Sequence, residues 1–129
     1  MTRRLVSSGS YLEPQIGFSR AVRVGPFVSV AGTAPIGADG RTVGRGSTYQ
    51  QTAHCLTVIA QALAEAGVSL DNVIRTRVIL TDITTWKEAA RAHGEVFAHI
   101  RPACTFMAVS HFIDPDWLVE VEADAVVES

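Results

Sequence analysis

The sequence predicts an α+β fold, a sheet with two helices packed on one of its faces. Three observations predict it. Apolar patterns alternate in the order β-β-β-α-β-α-β-β along 129 residues. Two segments carry helical apolar spacing behind a capping signal. The final strand alternates strictly, with Val119, Val121, Ala123 and Ala125 on one side and Glu120, Glu122 and Asp124 on the other.

Residues 3–8 read as a short opening strand, and Glu13 to Gly17, with Pro14, as a loop. Ser19–Val24 alternates polar and apolar residues, and Phe27–Gly32 is more uniformly apolar. The Gly25-Pro26 pair between them marks a hairpin turn. Five glycines and prolines between residues 33 and 47 predict a loop, with a short strand around Thr42-Val43. Ser47 and Thr48 cap the first helix, with Gln50 or Gln51 as the reciprocal partner. Leu56, Ile59, Ala60, Leu63 and Ala66 form its buried stripe, and Gly67 stops it. Val73–Thr81 is a long β-branched strand. The second helix starts at Thr85, with Glu88 completing a capping box, and its stripe is Trp86, Ala89, Ala90, His93, Val96 and Phe97. Pro102 lies beyond its end. Cys104–Ser110 and Trp117–Val127 are the last strands, joined through Asp114-Pro115-Asp116.

Length predicts a single domain over residues 1–129, able to bury roughly two-thirds of its unfolded surface. Eleven Lys+Arg against thirteen Asp+Glu give a net charge of -2, which argues against a nucleic-acid partner. No apolar run is long enough to span a membrane, and no h-region follows the basic start Met1-Thr2-Arg3-Arg4-Leu5. Cys55 and Cys104 read as free thiols in a reducing compartment, so a cytoplasmic protein is expected. Hydrophobic residues make up 47% and charged residues 19%, an apolar balance that suggests cover by another subunit.

Phosphate loops, CxxC, HExxH and GxSxG patterns are all absent from the sequence. His93 and His99 diverge on one helix and make a poor metal pair. His93 reads as a hydrogen-bonded core histidine. Cys104 and His111 are too far apart along one strand to pair directly. The acids at 120, 122 and 124 cannot all be buried unpaired. They are either a solvated face paired with Arg75 and Arg77, or they include a general base in a subunit-interface cleft.

Ile16-Gly17-Phe18-Ser19-Arg20-Ala21-Val22-Arg23-Val24-Gly25 resembles the opening signature of the RidA/YjgF family, and Val30-Ala31-Gly32-Thr33-Ala34-Pro35 resembles its SGQxP stretch. The likeness continues through Ala64–Val73, Thr81-Asp82-Ile83, Pro102-Ala103-Cys104-Thr105 and Val119–Ala123, in order along essentially the whole chain. It implies a chorismate-mutase-like α+β fold assembled as a homotrimer around a central β-barrel, with helices outside and small-molecule pockets between subunits. It also implies hydrolysis of enamines and imines such as 2-aminoacrylate, with no metal or organic cofactor. By position, Glu120 corresponds to the family's water-positioning glutamate, and Gly32 and Thr33 to its glycine and glutamine. Phe18 stands for a tyrosine, Ala90 for a frequent asparagine, and Cys104 for the arginine that holds the substrate carboxylate. A thiol cannot reproduce a planar, permanently charged fork, so archetypal 2-imino-acid deaminase activity is expected to be weak. Arg20 and Arg101 are candidates to supply positive charge instead. Two readings stay open, an enzyme of an arginine-less branch and a non-catalytic trimer binding a metabolite or a protein. Ribonuclease activity fits the acidic balance poorly.

Overall fold

The apolar side of the last strand needs cover, and two amphipathic helices supply it. In the computed structural model, residues 2–128 are described; Met1 and Ser129 lie outside the described residues. The elements are β1 (Arg3–Val6), α1 (Leu12–Ile16), β2 (Ala21–Val24), β3 (Phe27–Thr33), α2 (Thr48–Glu65), β4 (Val73–Leu80), α3 (Trp86–Phe97), β5 (Ala103–Ala108) and β6 (Val119–Val126). Among the described residues the six strands form one sheet in the order β1-β2-β3-β6-β4-β5. Among the described residues only β4 and β5 pair in parallel, with α3 as their crossover. The last strand therefore inserts between β3 and β4, antiparallel to both.

The core lies between this sheet and α2 with α3. Val28 and Val30 of β3, Val78 and Leu80 of β4, and the apolar row of β6 are all buried there. From α2 come Cys55, Leu56, Ile59, Ala62 and Leu63, and from α3 Ala89, Ala92 and Phe97. Ala60 and Ala90, expected in the stripes, are only half-buried, and Trp86 is 45% exposed. Phe97 is 2% exposed and ranks among the largest fully buried side chains. Phe97→Ala is expected to cost about 3–5 kcal/mol, read as a lower denaturant midpoint at unchanged slope.

Several local expectations need correction. Residues 12–16 form a short helix rather than a loop, because Pro14 sits in the first turn, where its missing N–H costs nothing. Gly17 then closes it at φ 86°, a conformation glycine adopts without strain. Thr85 makes no side-chain cap of α3; Asp82 instead accepts from Thr84 N–H and caps a 3₁₀ turn over Ile83–Thr85 that leads into the helix. At α2 Ser47 accepts from Gln50 N–H as expected, but Gln51, offered as a reciprocal partner, instead donates to the Asp116 carbonyl and accepts from Leu118 N–H. Around Thr42 there is one isolated bridge to Ile36 in place of a strand.

The sheet face away from α2 and α3 carries Ser29, Arg75, Arg77, Ile79, Glu120, Glu122 and Asp124, all partly or fully exposed.

Candidate functional site

The site begins with a defect in strand pairing. Val30 pairs with Ala123 and Thr33 with Val121, so β3 fits one extra residue against β6. Gly32 lies in this bulge. A Cβ there would stand 3.0 Å from Glu120 Oε1 and 4.0 Å from Glu122 Oε2. Glycine thus lets the Glu120 carboxylate lie against the backbone of β3.

Arg20 holds the bulge from behind. Its Nη2 donates to the Gly32 carbonyl at 2.6 Å, and its own carbonyl accepts from Ala31 N–H at 2.9 Å. The guanidinium carbon lies 5.3 Å from the centre of the Phe18 ring. Arg20 is 6% exposed, and burial lowers its pKa against the opposing fields of Glu13 and Glu120. Thr33 is buried on the helix side, and its hydroxyl donates to the Ala31 carbonyl at 2.8 Å. Its side chain braces the bulge instead of facing Glu120.

Glu120 differs from the other two acids of its row. Arg77 Nη1 reaches Glu122 at 3.5 Å and Asp124 at 3.3 Å, and Ser29 donates to Asp124 at 3.1 Å. Glu120 pairs in register with apolar Ile79. Burial holds its carboxyl above the usual carboxylate range, with the like charge of Glu122 adding to the shift and Arg20 opposing it. The paired-face reading therefore describes Glu122 and Asp124, whereas Glu120 stands outside those ion pairs. Arg75 turns away from the acids and donates to Thr105 at 2.8 Å.

Ala90 and Cys104 lie elsewhere in the chain. Cys104 is exposed on edge strand β5, two strands from β6, and pairs in register with Thr76. Thr76 faces α3, where its hydroxyl lies 2.8 Å from His93 Nε2. Cys104 therefore belongs to the helix-side row, with Phe106 and the edge-on Trp86. Within one chain Phe18, Gly32 and Glu120 are linked through Arg20, whereas Ala90 on α3 and Cys104 on β5 lie on other elements. Arg101 lies at the turn into β5 with φ 59°, exposed and away from the bulge.

The remaining candidates are structural. His93 is the hydrogen-bonded core histidine expected, and burial lowers its pKa. Cys55 is fully buried, and burial pushes its thiol far up, so it is no nucleophile. No cluster of three or more metal-ligating side chains occurs among the described residues.

The arrangement is that of a small α+β protein with a carboxylate set on a glycine bulge. The sequence profile of the Endoribonuclease L-PSP family matches residues 9–127, and the chain belongs to that family. An uncharacterised protein of Streptomyces coelicolor is 42% identical over 122 residues, 95% of this chain and 90% of that protein. The 3-aminoacrylate deaminase RutC of Acinetobacter baylyi is 29% identical over 114 residues, 88% of this chain and 90% of that protein. The crystal structure of Rv2704 from Mycobacterium tuberculosis, a member of the YjgF/YER057c/UK114 family, matches with a TM-score of 0.88. It is 44% identical and covers 98% of this chain and 100% of that one. The mixed sheet with two main helices implied by the resemblance is therefore the fold of this chain.

Proposed function

We propose that the protein is a homotrimer acting on a small enamine- or imine-type metabolite in clefts between subunits. The observation that carries this reading is Glu120, half-buried on a glycine bulge and left out of the ion pairs of its neighbours. The half-exposed acid-bearing face turns toward the barrel axis, and the Phe18-Gly32-Glu120 group of one subunit meets the Ala90-Cys104 group of the next. That assembly gives both halves of the site a use that a single chain does not.

Water adds to the C=N carbon of the imine tautomer. Glu120 takes a proton from the attacking water and returns it to nitrogen, and the carbinolamine collapses to a carbonyl compound and ammonia. A carboxyl held above the usual carboxylate range by burial suits both transfers. No electrons are exchanged, so the step needs no redox cofactor. The same residues would serve a hydration or dehydration. The likeness to a 3-aminoacrylate deaminase supports the substrate class.

Cys104, at the position where the resemblance puts the family's arginine, supports reading the chain as a member of an arginine-less branch. Phe18, Ala90 and Cys104 offer the substrate no charge, which favours a less acidic substrate than 2-aminoacrylate. The same lack of charge favours, as a second reading, a trimer that binds its metabolite without turning it over. Ribonuclease action is not proposed, since the net charge is -2 and three acids line the open face.

Sedimentation analysis tests the assembly: the expected mass is three times the 13.8 kDa chain. A monomer at micromolar concentration would remove the inter-subunit site.

A further inference from the structure

Arg20 is more than a brace for the Gly32 bulge requires. Its backbone is fixed from both sides, with its N–H donating to the Val6 carbonyl at 2.8 Å and its carbonyl accepting from Ala31 N–H at 2.9 Å. From there its side chain reaches the Gly32 carbonyl through Nη2. A single neutral N–H, such as that of a glutamine amide, would satisfy that carbonyl. A guanidinium instead brings a permanent charge to a position only 6% exposed, at a cost in desolvation. Its Nε makes no hydrogen bond, so hydrogen bonding does not offset that cost. The offset is electrostatic: Glu13 and Glu120 are the charges whose fields favour the cation.

Arg20 and Glu120 both meet Gly32. Arg20 holds the carbonyl of this residue, and a Cβ on it would stand 3.0 Å from Glu120 Oε1. The other groups around the carboxylate do not duplicate Arg20. Glu122, two residues along β6, repels it, and Ile79 across on β4 is apolar. Arg77 is taken up by Glu122 and Asp124. Cys55, on α2 behind the sheet, is held neutral by burial. Glu13, on α1, acts on Arg20. Among these groups Arg20 is the one that favours the ionised carboxylate.

We propose that Arg20 is a positioning residue for Glu120: it pins the bulge on which the carboxylate rests and sets a fixed positive charge behind it, without touching substrate. This rests on the role proposed for Glu120. A base must be ionised to take a proton from water, and burial alone works against that. Arg20 keeps the carboxylate available.

Carbon NMR titration of the side-chain carboxyls reads Glu120 directly, its signal being assigned by loss in Glu120→Gln. Arg20→Gln, which keeps an N–H donor and removes the charge, is expected to raise the Glu120 midpoint by about one pH unit or more. Arg20→Lys keeps the charge and should leave the midpoint near its wild-type value. In the unmodified protein the guanidinium nitrogen signals of Arg20 should show a step at the Glu120 midpoint, lost in Glu120→Gln, and this arm needs no folded Arg20 variant. An unmoved midpoint in Arg20→Gln, an equal rise in Arg20→Lys, or guanidinium signals without the step would overturn the proposal. None of these readouts needs turnover, so a protein that titrates as expected yet hydrolyses no imine counts against the proposed reaction alone. Where turnover is found, the acid limb of kcat/KM should move up with the midpoint in Arg20→Gln. A lower rate with that limb unmoved would make Arg20 a brace and nothing more.

Discussion

Glu120→Gln is expected to lower turnover of any enamine or imine substrate by about two to four orders of magnitude, the usual contribution of a positioned acid–base group. The same change is expected to raise thermal stability at pH 7. Folding lifts the Glu120 pKa, chiefly through burial, above its unfolded value of about 4.3. In the window between the two values the native state holds more protons than the unfolded chain, so stability falls as pH rises through it. Above the folded value the loss is complete. Glutamine, neutral and of the same shape, removes that loss. Melts of both proteins should therefore differ at pH 7 and converge as the pH drops into the ordinary carboxylate range. A variant that keeps the wild-type rate would show that Glu120 does not move the proton. One that keeps a fixed stability difference at every pH would show that its carboxyl is not perturbed.

Cys104→Arg is expected to strengthen action on a carboxylate-bearing enamine or imine by about a hundredfold or more. A charge-assisted contact to a carboxylate is commonly worth a few kcal/mol. The position suits the test, because Cys104 is exposed on an edge strand and the larger side chain displaces no core residue. The gain should appear in kcat/KM for 2-aminoacrylate generated in place, and not for a neutral imine. A gain on both substrates would mean that residue 104 acts through the fold and not on the carboxylate.

Most of the architecture was legible because it is periodic. Leu56, Ile59, Leu63 and Ala66 mark a helix face by spacing alone, and the alternation of β6 separates core valines from acids. Pairing order was not legible. Nothing local in the sequence says that β6 inserts between β3 and β4, and that insertion brings Glu120 to Gly32 and leaves Cys104 two strands away. Arg20 shows the same limit. In the run Ser19–Val24 it falls in a polar slot of a half-exposed strand, yet it is buried, because the bulge presents the Gly32 carbonyl to it. A bulge adds one residue to one strand, and only the partner strand reveals it. Thr85 and Asp82 differ for a nearer reason: both suit a cap, and the 3₁₀ turn gave the role to the earlier residue.

The resemblance singles out Glu120 where spacing does not. Periodicity alone makes Glu120, Glu122 and Asp124 equivalent. The Arg77 contacts and the glycine beneath Glu120 separate them.

In the proposed pocket the family's acid is in place and its carboxylate anchor is missing. The most direct test is hydrolysis of 2-aminoacrylate by the unmodified protein, measured as ammonia and keto-acid release beside an arginine-containing relative. Little or no release above the uncatalysed rate is predicted. A rate comparable to the relative's would contradict the account, since Cys104 would then have cost the pocket nothing.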